Sequence, residues 1–288
     1  MHLLRLLPAL SLTAVLACAS SSSTRAPTAL AELETSARRS PEELRVMTFN
    51  IESGIRGLDK VAEVIRGARP DVVALQEVDL GSRRAGGLDQ TAVLAEQAGL
   101  PYHAHFRTTD LYGGAYGIAL LSRFPLESLA QYPLPVPRGA EPRTLVHAVV
   151  QVAGREISVY LTHLIRRPFN GDVRVRQSAL IAGMMARDPR PKLLMGDFND
   201  DPDSRPVRLL RRGLTDVVAA SGHGSDGTYP LPFPFSPALR IDYVLACDSF
   251  EPVRSAVLRV GASDHYPVIA DVRLKDTQEP LRAALPAE

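Results

Sequence analysis

Six apolar runs in this chain stop abruptly on a carboxylate, an amide or an imidazole. They are Thr48-Phe49-Asn50-Ile51-Glu52, Ala74-Leu75-Gln76-Glu77-Val78, Leu161-Thr162-His163-Leu164, Met195-Gly196-Asp197-Phe198-Asn199, Arg240-Ile241-Asp242-Tyr243 and Ser263-Asp264-His265-Tyr266-Pro267. Catalytic constellations are built from these residue types, and a strand end delivers such a side chain to a sheet rim on a rigid support. Taken singly, each has an ordinary explanation: an Asp after a strand caps a turn or a helix, and a lone His satisfies a local hydrogen bond. Six such ends in one chain are harder to assign to capping alone. The pattern predicts that they converge.

The elements that must position them are short and mixed. Residues 44–50 read as a strand. Leu58, Val61, Ala62 and Ile65 stand at helical spacing, which predicts a helix over 58–68 ended by Pro70. Residues 71–76 predict a strand stopping at Glu77, 91–98 a helix, and 102–106 and 117–122 strands. Residues 145–152 and 156–161 flank Ala153-Gly154-Arg155 as a hairpin. An amphipathic helix follows over 173–185, then a strand at 192–195 running into Gly196-Asp197-Phe198-Asn199. A helix over 204–211 and strands over 241–246, 253–260 and 268–274 complete the pattern. The chain shows no repeat, no glycine-rich phosphate loop and no interior linker that requires a second domain. Two stacked mixed sheets, each covered outside by helices, satisfy this order. A doubly wound nucleotide fold is the alternative, but its GxGxxG turn is missing.

Composition sets the outer bounds. The 288 residues are 45% hydrophobic and 23% charged, an ordinary globular balance. The candidate residues spread from Asn50 to His265, which favours one large domain over two small ones. Net charge is +1, so no global field draws the chain to nucleic acid or acidic lipid. Tryptophan is absent and aromatics are 6%, which argues against an extended base-stacking platform. Arg166, Arg167, Arg174 and Arg176 leave two readings open, a local basic groove or a helix face with packed arginine stems. Two cysteines exclude a disulfide framework and a zinc cluster. Cys247 follows the apolar run of residues 243–246 and reads as a small buried hydrophobe.

The leader has its own chemistry. Residues 6–17 form an uncharged apolar run of signal-peptide length, too short for a comfortable bilayer span. It ends in Ala14-Val15-Leu16-Ala17-Cys18, which looks like a bacterial lipobox and would make Cys18 the lipidated first residue of the mature chain. An ordinary cleaved signal or an uncleaved anchor are the competing readings. The serine-rich and Ala/Thr/Glu-rich stretch beyond it predicts a solvated tether. The expected organisation is a signal peptide at 1–18, a tether at 19–42, one folded domain at 43–275 and a tail at 276–288. That arrangement predicts an exported protein held at the cell envelope by a lipid anchor.

The segments TFNI, LQEV, GIALLSR, THL, GDFN, RIDYVL and SDHYPV lie in the order found in the endonuclease/exonuclease/phosphatase superfamily, and residues 45–274 resemble its members. These include deoxyribonuclease I-like enzymes, apurinic endonucleases, sphingomyelinases and inositol polyphosphate phosphatases. GDFN together with SDH is the specific part of the likeness; LQEV or THL alone would be weak. The resemblance implies a four-layered α/β/β/α sandwich, Mg²⁺ or Mn²⁺ dependence and hydrolysis of phosphate esters.

It also implies roles. Glu77 matches the principal metal carboxylate, with Asn50 beside it as a ligand or phosphate contact. Asp264 falls in the metal-side cluster, and Glu52 stands where some relatives place a second acid. Hard divalent ions prefer such oxygen donors. Asp197 matches the residue that orients or deprotonates the attacking water. Asn199, two positions on, points to the same side if strand geometry persists, and would donate to charge developing on the phosphoryl group. His265 and Asp242 resemble an imidazole–carboxylate pair that favours the protonated ring. His163 resembles a second histidine on a phosphate oxygen or the leaving group. Arg143 matches a guanidinium that contacts substrate phosphate. Whether His265 or Asp197 takes the proton stays open.

The expected function is therefore metal-dependent hydrolysis of a phosphate ester by in-line attack of water, nuclease-like, in a monomer. The substrate stays open among nucleic acid, phospholipid or sphingomyelin, and an inositol or sugar phosphate. Pro230-Leu231-Pro232-Phe233-Pro234-Phe235 suits either a rigid active-site loop or a bilayer contact. The competing class is a non-enzymatic envelope lipoprotein, whose mark would be loss of Asp197, His163 or His265. None is lost.

Overall fold

Where an apolar strand must return parallel to itself, a crossover helix has to intervene, and the chain does this twice. The computed structural model describes residues 40–166, 168–233 and 236–276. Cys18, the leader, most of the expected tether and the tail from residue 277 lie outside them. In chain order the elements are β1 (Glu43–Asn50), α1 (Leu58–Ala68), β2 (Val72–Leu80), α2 (Gln90–Ala98), β3 (Tyr102–Leu111), β4 (Gly114–Ser122), β5 (Glu127–Leu134), β6 (Arg143–Val152) and β7 (Arg155–His163). They continue with α3 (Gly171–Met185), β8 (Lys192–Asp197), α4 (Arg205–Leu210), β9 (Leu214–Asp216), α5 (Val217–Ala220), β10 (Asp242–Cys247), β11 (Phe250–Val257) and β12 (Val268–Leu274). β1 pairs parallel with β2 across α1, and β7 parallel with β8 across α3. Antiparallel neighbours extend each pair into a six-stranded sheet, ordered β11-β12-β1-β2-β4-β3 and β5-β6-β7-β8-β10-β9.

The alternation of side chains along the strands builds the layers. On β1, Leu44 and Val46 face the second sheet while Met47 and Phe49 face the helices. β8 repeats the device, with Leu193 and Met195 between the sheets and Leu194 under α3 and α4. One buried cluster lies between the sheets and one beneath each helical layer. The architecture is the four-layered α/β/β/α sandwich, not the doubly wound alternative.

Several details differ from expectation. The strand expected to stop at Glu77 runs on to Leu80, because Glu77 is an extra residue in a bulge: Gln76 pairs with Ile118 and Val78 with Gly117. β5, β9 and α5 had no visible signature. β5 is a largely exposed edge strand interrupted by Pro133, so it carries no apolar alternation. The hairpin turn is Ala153–Gly154, both at positive φ (49° and 75°), which matches the twist of the flanking strands. Cys247 is buried, its sulfur accepting the Lys192 N–H at 3.2 Å. The arginines do not form one basic stripe: Arg174 is buried against Asp200 at 2.8 Å, whereas Arg176 is exposed and Arg167 lies outside the described residues.

Strand direction places the polar ends. β1, β2, β7 and β8 all deliver their carboxyl ends to one pole of the sandwich. β10 and β12 start at that pole because they run antiparallel to β8 and β1, pairing Asp242 with Asp197 and Val268 with Thr48.

Candidate active site

Asp197 is the hub. It is the last residue of β8, paired with the last residue of β7, His163, on one side and the first of β10, Asp242, on the other. Its approach to the neighbouring strand depends on Gly196, at φ 147°, where a Cβ would lie 1.8 Å from the Thr162 carbonyl oxygen. Only glycine fits so close a backbone contact. Around the Asp197 carboxylate stand His163 Nε2 at 3.4 Å, His265 Nε2 at 3.8 Å and the Asn50 amide nitrogen at 3.3 Å. The Asn199 backbone N–H donates to its other oxygen at 2.8 Å. Burial penalises the Asp197 charge, but the hydrogen bond from His163 and the charge of His265 outweigh it and hold the carboxyl down at about 2.

His265 is clamped from both ends. Its Nδ1 donates to Asp242 Oδ2 at 2.9 Å, and the Tyr229 ring packs across it with centroids 4.8 Å apart. Burial alone would lower its pKa; the charges of Asp242, Asp197 and Asp264 reverse the sign and raise it to about 10. The ring is an imidazolium across the neutral range. Two hydroxyl residues that were given no role beforehand hold this arrangement. The Ser263 hydroxyl donates to the Asn50 carbonyl at 2.7 Å and accepts the His265 N–H at 3.2 Å. Thr228 Oγ1 accepts the N–H groups of Ile241 and Asp242.

The acidic side of the site is assembled from β1 and β2. The bulge turns Glu77 to φ 58°, a left-handed conformation in which an L residue is strained. The Asn50 amide donates to Glu77 Oε1 at 3.0 Å as well as to Asp197, and its oxygen accepts the Glu52 N–H at 3.1 Å. Asn50 thus ties two carboxylates together. Glu52 is ion-paired with Arg56 at 2.6 Å. Asn199 reaches the site by a different route from the one expected: β8 ends at Asp197 and Asn199 turns to φ 52°, its side-chain amide donating to the Leu164 carbonyl at 3.2 Å. Arg143 opens β6 almost fully buried; its Nη1 donates to Glu141 and its Nε has no partner.

These groups face one pocket of about 670 Å³. Glu52, Glu77, His163, Asp197, Asn199, Asp264, His265 and Arg143 all line it, and Asp242 sits immediately behind His265. Tyr116, Glu141 and Tyr229 line it too and were not anticipated; burial and the charge of Glu77 push the Tyr116 hydroxyl far up. Arg166 lies on its wall. Glu52, Glu77 and Asp264 offer only oxygen donors, which fits a hard divalent ion. Among the described residues, the group of acids and histidines whose ligand atoms all lie within 4.8 Å of one another is instead Asp197, Asp242 and His265. There both ring nitrogens of His265 already face carboxylates, which suits a charge relay better than a metal ligand.

Four similarities accompany this geometry. A family model described as "Endonuclease/Exonuclease/phosphatase family" matches residues 47–265. An endonuclease/exonuclease/phosphatase from Beutenbergia cavernae superposes with a TM-score of 0.66 at 28% identity, covering 81% of this chain and 72% of that one. The human Nocturnin catalytic domain, solved with a bound sulfate anion, gives 0.64 at 19% identity over 81% and 94%. Protein cwh43 of Schizosaccharomyces pombe is 30% identical over 164 residues, which is 56% of this chain but 16% of that protein's length.

Proposed function

Because the chain belongs to the endonuclease/exonuclease/phosphatase family, we propose that it is a metal-dependent phosphoesterase that hydrolyses phosphate esters by in-line attack of water. The observation that carries this reading is the meeting of His163, His265 and Asn50 within 3.3–3.8 Å of Asp197, with Asp197 and both histidines lining one pocket.

The residues divide the work by charge. His265 is already protonated and has no free lone pair, so Asp197 is the group that orients the water and accepts its proton as the new O–P bond forms. The breaking P–O bond sends its electron pair to the leaving oxygen on the far face of phosphorus, which takes its proton from solvent, while the imidazolium, backed by Asp242, stabilises the charge that develops on the phosphoryl group on the side of Asp197. His163, Asn199 and the Arg143 guanidinium serve the phosphoryl oxygens. Glu77, Asp264 and Glu52, with Asn50 beside them, would hold Mg²⁺ or Mn²⁺. That ion, when bound, polarises a phosphoryl oxygen and offsets charge. The intact set of Asp197, His163 and His265 argues against a non-enzymatic scaffold.

A panel of plasmid DNA, RNA, sphingomyelin, phosphatidylinositol phosphates and bis-p-nitrophenyl phosphate, each assayed with Mg²⁺ and with Mn²⁺, tests the reading. Metal-stimulated hydrolysis of at least one member is expected, and Asp197→Asn should abolish it. A full panel of inert substrates would end the proposal. At the cell level the reading is an exported lipoprotein anchored through Cys18. Cys18→Ser should release the protein from membranes; unchanged retention with an uncleaved leader would refute the anchor.

A further inference from the structure

We infer that Glu141 sets the charge of the phosphate group that the site accepts, favouring monoanionic diesters over dianionic monoesters. This rests on the phosphoesterase reading above. Arg143 is 7% exposed and is the buried guanidinium on the pocket wall nearest His163 and Tyr116. Its Nη1 donates to Glu141, while its Nε is buried with no partner. Glu141 itself is half-exposed and lines the same pocket as Asp197 and His163. Pro142 between the two fixes the backbone that sets them side by side.

The consequence is electrostatic. A guanidinium offers five N–H donors in a rigid fork. With Nη1 engaged by Glu141, another N–H of the fork can take a phosphoryl oxygen, but the positive charge behind it is already balanced by Glu141. Arg143 then acts as a directed donor with little net charge. Of the other lining carboxylates, Glu52, Glu77 and Asp264 are assigned to the metal and Asp197 to the water, so Glu141 is the one left beside the guanidinium groups of Arg143 and Arg166 to oppose a second substrate charge. A diester brings one negative charge; a monoester approaches two at neutral pH, its second pKa being about 6. The extra charge lies within one guanidinium's width of the Glu141 carboxylate, a repulsion worth about threefold to tenfold in a partly solvated pocket.

The test uses the full chain with Mg²⁺ at about pH 8, where a monoester is dianionic. The ratio of kcat/KM for p-nitrophenyl phosphate to that for bis-p-nitrophenyl phosphate is measured in the wild type, Glu141→Gln and Glu141→Asp. Glu141→Gln keeps an acceptor for Arg143 but removes the charge, and should raise the ratio by about threefold to tenfold; Glu141→Asp should leave it where it is. Calorimetric affinities of the metal-free protein for methyl phosphate and dimethyl phosphate should shift in the same sense. Equal changes for both substrates in Glu141→Gln would overturn the inference and leave Glu141 a support for Arg143 alone. A wild-type protein inert toward both substrates and toward every member of the wider panel would instead overturn the phosphoesterase reading.

Discussion

Asp242 Oδ2 and His265 Nδ1 lie 2.9 Å apart, both groups buried, joining the start of β10 to the loop that precedes β12. This contact decides the charge of the ring. With its pKa raised from 6.5 to about 10, His265 gives the fold stability that is fully present below 6.5 and is lost as pH rises through about 10. Activity that needs the imidazolium should hold across the neutral range and fall only at the alkaline end. Asp242→Asn removes the charge and keeps the shape. The alkaline fall should then move several pH units toward the ordinary histidine range, with kcat at neutral pH reduced by about 10² to 10⁴. The pH profile of kcat/KM on a soluble diester reads this directly. Superimposable wild-type and variant profiles would refute the assignment.

Glu77 shows a functional residue held at a local cost in stability. Its φ of 58° costs an L side chain about 1–2 kcal/mol, and glycine nothing. Glu77→Ala and Glu77→Gly both remove the carboxylate, and both should lose metal-stimulated hydrolysis while staying folded. They should differ in stability. The glycine variant should be the more stable by about 1 kcal/mol after allowing for its looser unfolded chain, or about 2–4 °C in Tm at this size. Thermal melts of the pair check it; an alanine variant as stable as the glycine one would mean that the bulge carries no strain.

Much of the site could be read in advance because a strand that ends on a polar residue breaks its own apolar pattern. Asn50, His163, Asp197 and Asp242 announced themselves in this way, and the fold places them at one pole. What stayed hidden follows from tertiary context. The bulge at Glu77 is one inserted residue that is not glycine, so nothing in β2 marks it. Ser263 and Thr228 act through hydroxyl contacts with residues far along the chain, and serine and threonine are too common for that to be visible beforehand. Asn199 was expected in the pocket by strand alternation and reaches it by a left-handed turn instead. β5 escaped notice because an exposed edge needs no apolar face.

At the pole opposite the site, Asp271 is buried between two arginines. Arg45 donates to both its oxygens, at 2.6 and 2.8 Å, and Arg254 to one at 2.6 Å. Burial opposes its charge, but these bonds prevail and hold the carboxyl below its ordinary value. The stability it contributes is therefore present above the ordinary carboxylate pKa and lost as pH falls through the depressed one. Asp271→Ala leaves Arg45 as an uncompensated buried cation and should cost roughly 3–5 kcal/mol. Specific activity per folded molecule should not change, since the network touches no pocket residue. Urea unfolding at neutral pH measures the first expectation and active-site titration the second. A loss under 1 kcal/mol would show that solvent reaches Arg45.

Gly196 concentrates the dependence of chemistry on packing in one position. Its φ of 147° lies where side chains are strained, and a Cβ there would meet the Thr162 oxygen at 1.8 Å and the Thr162 carbon at 2.9 Å. Both contacts are backbone of the neighbouring strand, so no side chain can swing aside. Gly196→Ala must push β8 away from β7, where Thr162 pairs with Gly196 and His163 with Asp197. The cost should be at least roughly 3 kcal/mol, in the range reserved for overpacked or strained cores. It should also separate His163 from Asp197, so whatever protein still folds should be impaired in kcat by more than its folded fraction explains. Denaturant midpoints together with activity per folded molecule test both parts. An alanine variant with native stability would mean that the two strands are not packed backbone to backbone at this position, and the close placement of Asp197 would lose its structural cause.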